Sequence, residues 1–240
     1  MQTGAQKKLV ILFWVLALLD IISLIADLKP AHYVVKIMLV PVLIILLNSA
    51  KNSRGKKILL TGLIFSWIGD GLLLFESQHS MFFIAGLASF LTTHIFYIIY
   101  FLSISSATVS LLKKQPVWIL PVIAYGASLV WFLFPHLGPM KIPVIAYAAV
   151  ISTMLICSLH AYGKVNEAAG KLYVLGALAF VLSDSLLAIN KFYQPTPYAG
   201  VFIMLTYCAA QYLIVSGFMR IKKGLGGLDR LEGLASHQPL

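Results

Sequence analysis

Eight stretches of predominantly apolar residues succeed one another along the chain, near 9–26, 31–49, 57–75, 81–104, 116–134, 141–162, 171–190 and 197–219. Each runs for roughly 18 to 24 residues, enough to cross ~30 Å of hydrocarbon as an α-helix. In lipid the backbone must satisfy its own N–H and C=O groups, and a lone spanning segment does so only as a helix. The chain is therefore expected to be all-α: a polytopic membrane protein, an eight-transmembrane-helix bundle. With 60% hydrophobic and 11% charged residues, it has too little polar side chain to coat a soluble globule and far too much apolar side chain for disorder. The bundle is expected over 1–220, followed by a polar, Gly-rich, mobile tail over 221–240. The first run contains Asp20 and no small-residue cleavage signature closes it, so it reads as a retained helix and not as a signal peptide.

The basic residues give the orientation. Lys7, Lys8, Lys51, Arg54, Lys56, Lys57, Lys113, Lys114, Lys164, Lys171, Arg220, Lys222, Lys223 and Arg230 fall on one side of the membrane, fourteen in all, against three, Lys29, Lys141 and Lys191, on the other. The positive-inside rule then puts both termini in the cytoplasm. The net charge of +10 is thus explained by insertion, and no aromatic-interleaved basic groove points to nucleic acid. Cys157 and Cys208 each lie inside an apolar run, where neither a disulfide nor a metal site is expected. The histidines are dispersed without H-E-x-x-H spacing, and neither a G-x-S-x-G elbow nor a nucleotide-binding loop occurs. No metal or cofactor is expected. Acid/base catalysis by carboxylates, or ion-coupled transport, is what the residues allow.

Four charges lie inside the spans: Asp20, Lys36, Asp70 and Asp184. Each costs roughly 2.5–3.5 kcal/mol to insert, so each needs a partner or a hydrated cavity. Counting ~1.5 Å per residue from the outer helix ends puts all four about 7–9 Å below the surface, where they could meet. The first two spans share a short connection, which makes Asp20 with Lys36 the expected ion pair. That pair either fixes helix register or takes part in binding. Asp70 and Asp184 remain, and with one cation nearby not every carboxylate can be neutralised by pairing, so one is expected to hold a proton. Gly69-Asp70-Gly71-Leu72-Leu73 also parallels Ser183-Asp184-Ser185-Leu186-Leu187, with small neighbours that let a helix or ligand approach the carboxylate. Helical spacing groups His94, Tyr97 and Tyr100 on one face, and Tyr207 with Gln211 at i, i+4; Ser66 precedes Asp70 by a turn and Asn190 follows Ser183 by two. His94 and Gln211 come out deeper, ~20 Å from the outer face. Either reading, hydrogen-bonded packing or substrate contact, fits the His and Tyr residues.

Trp67-Ile68-Gly69-Asp70-Gly71-Leu72-Leu73-Leu74, Thr93-His94-Ile95-Phe96-Tyr97-Ile98-Ile99-Tyr100-Phe101, Leu182 to Phe192 around Ser183-Asp184-Ser185, and Tyr207-Cys208-Ala209-Ala210-Gln211 together resemble the YhhN family of eight-helix membrane proteins. The resemblance covers nearly the whole chain in order and spacing. One departure is Lys36-Ile37-Met38 with Pro41 further on, where the family's second helix usually carries Lys-Pro-Leu. Characterised animal members are lysoplasmalogenases, so the resemblance implies hydrolysis of the vinyl ether of a lysophospholipid to a fatty aldehyde and a glycerophospho-ethanolamine or -choline. It implies Asp70 and Asp184 as the catalytic acid/base pair, without saying which is which. The residues expected to bind substrate are Lys36, Asp20, His94, Tyr97, Asn190, Tyr207 and Gln211, with Lys191 and His32 as further groups for the phosphate. The tail pocket is expected inward along the third, fourth, seventh and eighth spans, past Tyr97, Tyr207 and Gln211. A proton-coupled transporter or lipid-handling protein using the same aspartates is the alternative. The short connections favour a bacterial cytoplasmic membrane.

Overall fold

The structure is a computed structural model and describes residues 3–51, 53–106 and 109–221. Its helices are α1 (Gly4–Ile25), α2 (Lys29–Asn48), α3 (Arg54–Leu74), α4 (Ser80–Ser103), the short α5 (Leu111–Lys114), α6 (Ile119–Leu133), α7 (Lys141–Ala161), α8 (Glu167–Ala188) and α9 (Ala199–Met219). A 3₁₀ turn, Pro116–Trp118, leads into α6, and a π-helical turn, Ile189–Tyr193, prolongs α8. No strand occurs among the described residues. Leaving aside α5, eight helical segments are long and apolar enough to cross a membrane; α6 to α9 form the fifth to eighth spans. The expected tail over 221–240 lies, Ile221 apart, outside the described residues.

α1, α3 and α4 begin ahead of their apolar runs, each started by a polar cap outside the run. Thr3 and Gln6 form a reciprocal capping box on α1, Ser53 accepts from the Lys56 amide on α3, and His79 Nδ1 accepts from the Met81 amide on α4. Each satisfies an orphan N–H of a first turn. Lys56 in turn reaches back, donating from Nζ to the carbonyls of Asn48 and Ala50 at 3.3 and 3.1 Å, which closes the carbonyl end of α2.

The outside of the bundle is apolar, as Trp131 and Ile142 at 79% and 81% exposure illustrate, because lipid is its solvent. Association therefore depends on close packing and internal hydrogen bonds. Gly62 and Gly69 of α3 face Tyr97 and Phe90 of α4 so tightly that a Cβ would come within 2.6 and 2.8 Å of those rings. Gly176 of α8 meets Ile214 of α9 the same way, at 2.8 Å. The three Asp-bearing helices, α1, α3 and α8, each pack most extensively on the helix that follows.

Pro41 lies inside α2, where it lacks the N–H that would bond the Ile37 carbonyl. Trp67 of α3 supplies the missing donor, its indole N–H reaching Ile37 O at 2.9 Å. The proline and the tryptophan are thus one device that pins α3 to α2 beside Lys36. Trp67→Phe keeps most of the ring but leaves that carbonyl without its donor. The expected loss is about 1–2 kcal/mol, seen as a lower thermal midpoint in detergent; an unchanged midpoint would mean the indole bond contributes nothing.

Candidate functional site: two carboxylate clusters

Asp70 lies in the last turns of α3, 2% exposed. Tyr207 of α9 donates its hydroxyl to Asp70 Oδ2 at 2.5 Å. Ser66, one turn earlier on α3, lies 2.8 Å from the same phenol. Gln211, one turn beyond Tyr207, donates from Nε2 to Ser66 Oγ at 2.5 Å and to Tyr207 Oη at 3.2 Å. Tyr97 of α4 completes the chain by donating to Gln211 Oε1 at 2.7 Å. Tyr97 and Ser66 are fully enclosed and Gln211 is 1% exposed. With Ser66 donating to Tyr207, every hydrogen in the series points towards Asp70, so the carboxylate is its acceptor terminus and each bond polarises the next.

The charges from α1 and α2 join this cluster differently from the expectation. Asp20 is wholly buried and bonds His32 Nδ1 through Oδ1 at 2.8 Å, while its Oδ2 has no partner. Among the described residues no ion pair joins Asp20 to Lys36. His32 and Lys36 lie one turn apart on one face of α2, and His32, nearer the α1–α2 connection, occupies the carboxylate. Lys36, half-buried, instead lies within electrostatic reach of Asp70, as does Asp20.

Asp184 belongs to a second cluster. Its Oδ2 accepts from the Tyr147 hydroxyl of α7 at 2.5 Å and lies 3.1 Å from His94 Nε2 of α4, which is itself 3.0 Å from Tyr147 Oη. His94 is fully enclosed, whereas the Asp184 side chain keeps 15% exposure. His94 and Asp184 thus meet although counting along the spans set them at different depths; α8, for its part, is prolonged to Tyr193 by the π-helical turn. Next to Asp184, Ser185 accepts from Tyr125 of α6 at 2.9 Å, tying the most exposed span to the bundle.

A cavity of about 40 Å³ adjoins this cluster, lined by Phe83 and Leu87 of α4, Val144 and Tyr147 of α7, and Asp184, Leu187, Ala188 and Phe192 along α8 and its π turn. That is room for roughly three waters at ~10–15 Å³ each, so a lipid chain enters only if the helices part. Tyr97, Tyr207 and Gln211 do not line this cavity; they are bonded in series in closed packing.

Asp70 and Asp184 share no hydrogen-bond partner among the described residues. Phe180, one turn before Asp184 on α8, stands between the clusters, with ring centroids 5.1 Å from His94, 5.8 Å from Tyr207 and 6.1 Å from Tyr97. Three other expected residues are engaged elsewhere. Asn190 Oδ1 accepts from the Thr196 amide at 2.9 Å, bracing the turn into α9. Lys191 pairs with Glu76 at 3.1 Å and lies 4.5 Å over the Phe83 ring, and Tyr100 bonds Tyr173. Sequence reasoning missed Tyr147, Tyr125 and Phe180. Among the described residues no group of three or more His, Cys, Asp or Glu side chains comes together as metal ligands.

Fold and site together define a multi-pass membrane protein with ionisable groups gathered inside the bundle, Asp20 and Asp70 sealed and Asp184 facing a cavity. The chain belongs to the YhhN family, whose model matches residues 31–218, from the first turn of α2 to the last of α9. It is 34% identical over 170 residues to human "Lysoplasmalogenase TMEM86B", a match covering 70% of this chain and 66% of that one. It is 34% identical over 157 residues to bovine "Lysoplasmalogenase TMEM86A", covering 64% and 61%. With the "Lysoplasmalogenase" of Mycobacterium tuberculosis it shares 30% identity over 167 residues, covering 69% and 61%. The chain thus spans less than two thirds of the length of these three relatives. No solved structure matches it significantly.

Proposed function

We propose that this protein is an integral-membrane hydrolase that cleaves the vinyl ether bond of lysoplasmalogens, releasing a fatty aldehyde and a glycerophospho-ethanolamine or -choline. The observation that carries the reading is Asp184, a carboxyl group held by two hydrogen-bonding side chains at an otherwise apolar cavity, in a chain whose family relatives are named for that activity. A vinyl ether has no carbonyl for a nucleophile to attack. Its slow step is protonation of the alkene carbon, which makes an oxocarbenium ion; water then adds, and the hemiacetal collapses to aldehyde and alcohol. A carboxylic acid can donate that proton, and a carboxylate can stabilise the cation and take a proton from the water. Asp184 and Asp70 are the two groups we assign to this work. His94, Tyr97, Tyr207 and Gln211 support them, and the Lys36–Asp20 region is assigned to the head group.

We further infer that both termini face the cytoplasm, on the strength of the basic residues gathered at that end, and that the protein resides in a bacterial cytoplasmic membrane. The test is to incubate purified protein with a 1-alkenyl lysophospholipid and measure aldehyde. The saturated 1-alkyl ether, which has no alkene to protonate, should be inert. Absence of aldehyde together with substrate flux into vesicles would replace hydrolysis by proton-coupled transport.

A further inference from the structure

Resting on that reading, we propose that Asp184 performs the proton transfers through a single oxygen, Oδ1, and that Tyr147 is the positioning residue that makes this possible. Both donors to Asp184 converge on Oδ2, Tyr147 Oη at 2.5 Å and His94 Nε2 at 3.1 Å. Oδ1 makes no hydrogen bond among the described residues, and Asp184 lines the cavity. A proton carried by the neutral acid therefore sits on Oδ1, because Oδ2 already accepts from two donors.

His94 fixes the sense of these bonds. Its Nδ1 is buried without a partner, so a hydrogen there would have nothing to accept it, and we place the ring hydrogen on Nε2, where it serves Asp184 Oδ2 and Tyr147 Oη together. Tyr147 then has its own hydrogen free for the carboxylate. Tyr147 also lines the cavity, and its ring stands edge-on to His94 at 5.5 Å, so its hydroxyl is aimed by packing.

The cycle balances with one carboxyl group. Oδ1–H gives its proton to the alkene carbon, the ether oxygen shares its lone pair to form the oxocarbenium ion, and the charge left on the carboxylate gathers on Oδ2 under its two donors. Water adds to the cationic carbon and loses a proton to Oδ1, regenerating the acid and leaving the hemiacetal. Asp70, sealed at the end of its own donor series on the far side of Phe180, is assigned no proton transfer. The donors to Oδ2 matter most in the charged form, so they act on the chemical step more than on binding.

The experiment compares kcat and KM for wild type and Tyr147→Phe, in full-length protein with a 1-alkenyl lysophospholipid. The expected result is a kcat about 10- to 100-fold lower, the effect of losing one donor to a carboxylate, with KM within about twofold. A packing role would instead raise KM or lower the yield of folded protein while sparing kcat. Should Tyr147→Phe not fold, His94→Gln, which keeps an N–H near Nε2, is set against His94→Leu, which has none; the first is expected to exceed the second at least tenfold in kcat. Equal kcat for wild type and Tyr147→Phe, or for the two His94 variants, would overturn the assignment while hydrolysis stands. A wild type that yields no aldehyde would overturn the activity and this assignment with it.

Discussion

Asp184→Asn is expected to abolish aldehyde release while the protein still inserts, purifies and binds lysolipid. An amide is nearly isosteric with the carboxyl, and its carbonyl oxygen can still accept from Tyr147 and His94. Folding should be unharmed, since the change removes an ionisable group from the membrane interior. What it removes chemically is decisive: an amide neither donates a proton to carbon nor takes one from water. General acid/base catalysis typically supplies 10²- to 10⁴-fold, and because both transfers run through this one group the loss belongs at the upper end. Steady-state aldehyde formation, with binding followed separately, decides it. Turnover above about a tenth of wild type would reduce Asp184 to a packing group, since tenfold is only ~1.4 kcal/mol of barrier.

Asp70→Asn is expected to be nearly as severe for a different reason. The residue is sealed, with Tyr207 donating to it and Lys36 within electrostatic reach; the role we assign it is to offset the Lys36 ammonium, with no proton transfer of its own. Asparagine preserves an acceptor for Tyr207 but leaves Lys36 without that counter-charge, because Asp20 already bonds His32. An uncompensated ammonium then opposes the developing oxocarbenium ion where a carboxylate had favoured it. In an enclosed, low-dielectric bundle such a reversal should cost about 10²-fold or more in kcat. The same aldehyde assay reads it, and wild-type turnover in this variant would confine the electrostatics of the reaction to the Asp184 cluster.

How much of this could be read from residues alone follows from what hydropathy can carry. The spans were legible because a membrane imposes a single length and a single composition on every element. Asp70, Tyr207 and Gln211 were legible as well, since polar groups at helical spacing stand out against leucine and isoleucine. Tyr147 and Tyr125 were not: a tyrosine within an apolar run has the same signature whether it meets lipid, packs between helices or donates to a carboxylate. The choice between His32 and Lys36 as partner for Asp20 was hidden too, because both occupy one face of α2 and only side-chain reach separates them. Depth counting separated His94 from Asp184, which are in contact, and it cannot foresee the π-helical turn that prolongs α8. It failed also to anticipate Phe180, whose ring divides what linear spacing had drawn as one site.

The donor series ending at Asp70 has a consequence for biogenesis. Its members lie far apart in the chain: Tyr207 is 137 positions from Asp70, and Gln211 is 145 from Ser66. At a synthesis rate of roughly 5–20 residues per second, the third span waits about 7–30 s in the bilayer before the partners of its carboxylate emerge. Throughout that interval Asp70 lacks the Tyr207 hydroxyl that donates to it, while α2 and α4 are already in place against α3. Insertion of α9 therefore does more than add an eighth helix, because it closes the hydrogen-bond circuit on which the sealed carboxylate depends. A chain arrested before Tyr207 would present the quality-control machinery of its membrane with an exposed aspartate.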